Sequence, residues 1–289
     1  MIEKLAIIGV GLIGGSFAMA LREAGMVREI IGVGRSAANL QEALKCGAID
    51  RIAPNAAVAV QDAELVMLAV PVGQMAAVMQ EIAPHLAAHT VVTDAGSTKG
   101  DVVALARRHL PQHLAGFVPG HPIAGAEKSG VGAANAGLFR NRQAVLTPLP
   151  ETAATATSLV RAAWLACGAR VAEMAPEEHD RIFAAVSHLP HLLAFALVDE
   201  IAARSNGKEL FGYAAGGFRD FTRIAGSSPE MWRDICLANR DALLQELDAY
   251  QSQLVRLRAL LEQADGAAME QIFNHASQAR NDWASQKND

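Results

Sequence analysis

Three glycines within six residues, Gly9-Val10-Gly11-Leu12-Ile13-Gly14, follow the apolar run Leu5-Ala6-Ile7-Ile8 and open an Ala-rich stretch. Few patterns restrict a fold more. The first glycine makes a tight turn out of a strand, and the second lets backbone come close to a bound group. The third lets a helix pack against the strand before it. The spacing alone is weak evidence, so its context decides its weight. Here Glu29-Ile30-Ile31-Gly32-Val33 offers a second strand, and Leu65-Val66-Met67-Leu68-Ala69-Val70 and Thr90-Val91-Val92-Thr93 offer two more. Strands apolar on both faces, separated by helical stretches, predict a parallel sheet covered on both sides: an α/β, doubly wound fold. Val145-Leu146-Thr147 and Arg170-Val171 are expected to extend that sheet.

A glycine turn of this kind rests a pyrophosphate on a helix N-terminus, where amide donors point outward. Gly9, Gly11, Leu12, Ile13 and Gly14 form the expected cradle for a dinucleotide, with Val70 and Pro71 beside it at a neighbouring strand end. The second strand bears on which dinucleotide. An NAD site places Asp or Glu there for the ribose hydroxyls, whereas this chain reads Gly34-Arg35-Ser36. Arg35 can pair with a 2′-phosphate, and Ser36 can donate a hydrogen bond to it. NADP is therefore the expected cofactor, with NAD still usable; the bland alternative is a solvated surface Arg35.

From about Pro176 strand signals stop and Ala/Leu-rich helical patterns run to the end. At 289 residues there is room for two domains. The expected division is a dinucleotide-binding domain, 1–172, and a helical substrate-binding and dimerisation domain, 173–289. Ser227-Ser228-Pro229-Glu230 marks a helix start. The helix it opens carries Leu243, Leu247, Tyr250, Leu254, Leu257 and Leu261 at heptad spacing. That stripe suits a partner helix from a second subunit or, alternatively, the domain's own core. Ser277 to Asp289 reads as a fraying polar tail.

A net charge of −5 without a basic run argues against nucleic acid or an anionic membrane as partner. Cys46, Cys167 and Cys236 are far apart and show no metal-ligand spacing, so no metal is expected. The chain starts without a signal-type segment, and no uninterrupted apolar stretch reaches the ~20 residues of a membrane span. A soluble, cytoplasmic protein is expected.

Chemistry is expected in two places. Gly120-His121-Pro122-Ile123-Ala124-Gly125-Ala126-Glu127 puts an imidazole, the side chain that exchanges protons near neutrality, in glycine-rich backbone. Asp94-Ala95-Gly96-Ser97-Thr98-Lys99-Gly100 follows an apolar strand, at the carboxyl end of the sheet where open α/β folds bind ligands. Ser97 would face the cleft there, although Ser97 or Thr98 capping the next helix is an equally ordinary role.

These two motifs occur in one order with the glycine turn, Ser187-His188-Leu189-Pro190-His191, and Phe221-Thr222-Arg223 followed by Met231-Trp232-Arg233. Together they resemble the prephenate/arogenate (cyclohexadienyl) dehydrogenase family of tyrosine biosynthesis, over nearly the whole chain. The resemblance implies a Rossmann domain, a helical domain forming an intertwined homodimer, and a cleft between them. It makes His121 the catalytic base toward the substrate's ring hydroxyl, and Ser97 the residue aligning hydroxyl, base and nicotinamide. Glu127 becomes an acid at the pocket mouth, His191 and Arg223 become substrate-binding residues, and Trp232 an aromatic from the neighbouring subunit. His179 and His188 receive supporting roles. Many family members carry Thr where this chain has Ala126, so Ala126 and Glu127 bear on arogenate against prephenate. On the residues themselves, His191 or Trp232 can equally be core side chains. Two other classes stay in view: a β-hydroxyacid dehydrogenase or imine reductase, which would need a catalytic Lys near Lys208, and a non-catalytic NADP sensor.

Overall fold

The computed structural model describes residues 1–125 and 130–285. It divides into two compact units, Met1–Arg240 and Asp241–Asp289.

The first unit begins with β1 (Ile2–Ile8), α1 (Leu12–Glu23), β2 (Val27–Val33), α2 (Ala37–Lys45), β3 (Arg51–Ile52), α3 (Ala56–Ala59) and β4 (Leu65–Leu68). It continues through α4 (Val72–Ile82), β5 (Val91–Asp94), α5 (Gly100–His109) and β6 (Phe117–Val118). The six strands are all parallel, in the order β3-β2-β1-β4-β5-β6. Side chains alternate across this sheet. Leu5, Ile7, Leu65 and Met67 join Phe17 and Trp164 in one core. Ala6, Ile8, Val66 and Leu68 join Met75, Met79 and Val102 in the other. Both faces are dry, which explains why the strand sequences do not alternate with polar residues. The strand order reverses between β1 and β4, and a crevice opens there at the carboxyl ends.

One sheet prediction needs correcting. Val145-Leu146 and Arg170-Val171 do not extend the first sheet. β7 (Gly120–Pro122), β8 (Gln143–Leu146) and β9 (Arg170–Glu173), with α6 (Ala154–Ala166) between the last two, form a separate three-stranded sheet. Pro119 has no amide hydrogen with which to continue β6. The next amide, Gly120 N–H, goes to the Asp94 carboxylate rather than to a strand.

The helical part of this unit contains α7 (Pro176–Phe183), a π-helical turn at Ala184–His188, α8 (Leu189–Ala202), α9 (Gly207–Gly212), α10 (Gly216–Thr222) and α11 (Pro229–Ala238). Pro190 lies in the first turn of α8 and lacks an N–H. The wide π turn before it absorbs that loss, so the helical run bends its register without stopping. Taken as one run, Pro176–Ala202 is long and apolar enough to cross a membrane by length and composition, although Glu177, Glu178, Asp180, Arg181, Asp199 and Glu200 interrupt its apolar residues. Its polar residues His179, Asp180 and His188 are nevertheless buried and bonded to other elements of this unit.

Ser228 caps α11 as predicted, its Oγ accepting from Met231 N. The helix does not run on into the leucine stripe, however. It ends at Asn239, whose side chain is drawn inward, and α12 (Arg240–Glu262) starts afresh. In the second unit the stripe leaves Tyr250, Leu254 and Leu261 exposed. α13 (Gly266–Ser285) then carries helix through most of the predicted polar tail.

Candidate active site

The glycine turn has the geometry its pattern predicts. Gly9 has φ +99°, and a Cβ there would lie 2.4 Å from the Ala69 carbonyl oxygen. A Cβ on Gly14 would lie 2.3 Å from Gly9 O and 2.8 Å from Ile7. Gly11 is different, since its Cβ would meet nothing within 4 Å. The amide end of α1, at Leu12 and Ile13, has no side-chain cap. Two glycines thus close the turn while the third leaves open backbone before free donors, the shape a pyrophosphate requires. Val70 lies against Gly9, and Pro71 starts α4. Arg35 and Ser36 are exposed at the end of β2. Ser36 Oγ caps α2 by accepting from Asn39 N at 3.2 Å, which leaves its own hydrogen available to donate. Arg35 makes no ion pair among the described residues.

Beyond the turn, along the same sheet edge, lies a fully buried ion pair. Lys99 Nζ donates to Asp94 Oδ2 and, at 2.7 Å, to the Gly120 carbonyl. Asp94 also accepts from Gly96 N (2.8 Å) and Gly120 N (3.0 Å). Both side chains are 0% exposed. Two of these bonds, both to Gly120, tie the Asp94–Lys99 loop to the backbone that carries His121.

His121 itself belongs to a chain of hydrogen bonds. Its Nδ1 lies 2.8 Å from His179 Nε2, and His179 Nδ1 lies 2.8 Å from Asp180 Oδ1. Asp180 also accepts from Lys99 N (2.8 Å) and Gly100 N (2.7 Å). It therefore caps α5 from eighty residues away, the role the sequence left open for Ser97 or Thr98. Burial pushes the Asp180 carboxyl up, but the bond from His179 and the two amides outweigh it and hold the group below its ordinary value. Burial first, then His179, Lys99 and His188, hold His121 well below the usual histidine range. Phe183 packs on both rings, 4.9 Å from His121 and 4.4 Å from His179 between centroids.

Asn239 joins the same cluster from the end of α11. Its Nδ2 donates to Asp180 O at 2.7 Å and lies 3.0 Å from His188 Nδ1. The Asp180 carbonyl can only accept, so the atom facing it is the nitrogen. His188 Nδ1 is then an acceptor, and Nε2 carries the hydrogen. Burial lowers His188 to about 4, and the Ser97 backbone lies against it. On the far side, His191 donates from Nδ1 to Ser187 O (2.9 Å) and stacks on Trp232 at 3.5 Å between centroids. Burial lowers His191 too, and Arg223 is near enough to act in the same direction.

The structure thus gathers His121, Ser97, His188, His191, Trp232 and Arg223 within one unit. Trp232 packs on His191 and His188 of its own chain and is 8% exposed. The short α11, ended at Asn239, carries it there. Ala126 and Glu127 lie outside the described residues. Sequence reading missed Asp180, Asn239 and the Lys99–Asp94 pair and ranked His179 too low. Adjacent Glu177-Glu178-His179-Asp180 looks like a solvated helix start, and nothing local says that two of the four turn inward.

A doubly wound sheet with an open glycine turn, and a neutral histidine whose backbone is tied to the loop after β5, defines a dinucleotide-dependent oxidoreductase. Residues 17–173 match the family model for the prephenate dehydrogenase nucleotide-binding domain, and residues 175–275 match that for the prephenate dehydrogenase dimerization domain. A prephenate dehydrogenase of Bacillus subtilis is 39% identical over 97% of this chain and 76% of its own length. A cyclohexadienyl dehydrogenase of Zymomonas mobilis is 35% identical over 96% and 95%. The crystal structure of prephenate dehydrogenase from Aquifex aeolicus, in complex with hydroxyphenyl propionate and NAD+, superimposes with a TM-score of 0.87. It is 36% identical and covers 94% of this chain and 95% of that one. The chain belongs to the prephenate dehydrogenase family.

Proposed function

We propose that this chain oxidatively decarboxylates prephenate, arogenate or both, passing hydride to NADP in preference to NAD, in the making of tyrosine. One observation carries the reading: a neutral His121 whose neighbour Gly120 is bonded to Asp94 and Lys99, in the loop that holds Ser97 at the carboxyl end of the glycine turn's sheet. Gly9, Gly11, Leu12, Ile13 and Gly14 hold the dinucleotide, with Val70 and Pro71 alongside and Arg35 and Ser36 at its 2′-phosphate. When bound, the nicotinamide supplies the hydride acceptor.

The protein's own groups do the rest. His121 Nε2 takes the proton of the ring hydroxyl as hydride leaves the same carbon. The ring carboxylate departs as carbon dioxide, its bonding pair completes the aromatic ring, and His121 returns the proton to the phenolate oxygen. Aromatisation drives the step, so the protein supplies mainly alignment and proton removal. Ser97 aligns the hydroxyl with His121. Arg223 grips a substrate carboxylate in the bidentate manner its fork allows, with His191 beside it. Ala126 and Glu127 bear on the choice between the keto acid and the amino acid.

The division into a dinucleotide domain, 1–172, and a helical domain, 173–289, fits this reading, as does a homodimer formed through the helical part. A cytoplasmic location is proposed with it. A lysine-dependent dehydrogenase is disfavoured, since Lys99 is consumed in its ion pair and Lys208 stands exposed on α9. The test is an assay of prephenate and arogenate, each with NAD and NADP, on the native chain and on His121→Asn. The native chain should turn over at least one substrate faster with NADP, and the variant should lose roughly 10²–10⁴-fold in kcat, the range for a positioned general base. Substantial turnover by His121→Asn would remove His121 from the mechanism.

A further inference from the structure

A base must offer a bare nitrogen to the proton it takes, and a neutral imidazole has only one. Which nitrogen is bare depends on what the other one bonds. For His121 that is decided two residues away from the substrate.

We infer that Asp180 and His179 are positioning residues that lock His121 in the Nδ1–H tautomer, so that Nε2 is the nitrogen presented to substrate. The inference rests on the reading of His121 as the base. At Asp180, Lys99 N and Gly100 N both donate to the carboxylate. Those donors keep the group ionised, and an ionised carboxylate can only accept. His179 Nδ1, at 2.8 Å from Oδ1, must therefore carry a hydrogen. His179 is fully buried, and burial lowers its affinity for a second proton. The ring is thus neutral, and its Nε2 is an acceptor. His121 Nδ1, at 2.8 Å from that Nε2, must donate. One nitrogen then remains, His121 Nε2, and it is bare.

The charged neighbours agree with this assignment. Lys99 is committed to Asp94 and the Gly120 carbonyl. His188 on the π turn is kept neutral by burial, and its Nδ1 faces Asn239. Neither competes for His121 Nδ1. The same chain serves the proton after transfer. Once Nε2 is protonated, the imidazolium keeps its Nδ1–H bond to His179, and the Asp180 carboxylate lies one ring beyond. Asp180 is suited to this because it is anchored at both ends: its carboxylate caps α5, and its carbonyl accepts from Asn239.

The test uses the whole chain and two kinds of measurement. In 15N histidine spectra of the native protein, His121 and His179 should both show the Nδ1–H pattern, whereas a free histidine in water favours Nε2–H. His179→Leu removes the acceptor, and kcat should fall about 10- to 100-fold while KM changes by less than about threefold. His179→Gln restores a carbonyl oxygen that can accept from Nδ1, and should recover much of that loss. A native His121 in the Nε2–H form would overturn the assignment. So would His179→Leu with undiminished kcat, or His179→Gln no better than His179→Leu, provided that His121→Asn is inactive. Activity surviving in His121→Asn would instead bring down the underlying reading of His121.

Discussion

The Gly9–Gly14 turn and the Lys99–Asp180–His179–His121 cluster belong to the same unit and are built in opposite ways. The turn works through missing side chains. At Gly9 and Gly14 any Cβ would press on backbone, and at Gly11 the missing Cβ leaves room for a ligand. The cluster works through side chains that satisfy one another: a fully buried ammonium and carboxylate, a carboxylate capping a helix, and two rings in series. The turn is contained in six consecutive residues. The cluster draws on residues from 94 to 239. A turn of the first kind fails when something is added to it, a cluster of the second kind when something is taken away.

The largest effect should come from taking away Lys99. Lys99→Met strands Asp94 as a buried charge, and removing one partner of such a pair costs about 3–5 kcal/mol. Urea unfolding should record that loss, and adding Asp94→Asn should recover part of it. A Lys99→Met protein as stable as the native one would mean the cluster is not held by its charges.

Adding to the turn comes next. Gly9→Ala combines a positive φ with a contact to backbone that cannot swing aside, so a loss of roughly 3 kcal/mol is expected, the upper end for overpacking. Gly11→Ala should leave the unfolding midpoint unchanged and weaken only cofactor binding. Equal melting shifts for the two variants would erase the distinction between closing glycines and an open one.

Acid separates the regions as well, because only the cluster titrates. A native histidine whose pKa is lowered stays neutral where the unfolded one binds a proton. Stability from His188 is therefore complete above about pH 6.5 and is lost as pH falls toward about 4. Between pH 7 and 5 this amounts to about 2 kcal/mol, and His121 and His179 act with the same sign. Urea midpoints at the two pH values measure it, and His188→Gln should flatten the slope.

The smallest effect concerns the cofactor. Arg35→Ala should cut kcat/KM with NADP about tenfold, or about 1.4 kcal/mol, and leave NAD almost unchanged. A fall of the same size with both cofactors would make Arg35 a general surface charge.

How much of this was legible in the amino-acid order follows the same divide. The turn, its strand and its helix were readable because all their determinants are neighbours in the chain. The second sheet was not, since Val145-Leu146 looks the same whether it joins β6 or β7, and Pro119 decides which. The end of α11 was hidden because Asn239 breaks the helix through partners 51 and 59 residues away. Nothing near Trp232 in the chain reveals that it stacks on His191.

By itself, the sequence determined that this protein has a parallel, doubly wound sheet, where its open glycine turn lies, and that a glycine-rich segment carries His121. Those properties depend on periodicity, on missing Cβ atoms and on local turns. Only the tertiary structure decided what stands behind that histidine. A hydrogen-bond chain has direction, and its direction is set where it ends, at a carboxylate fixed by the amides of a helix eighty residues earlier.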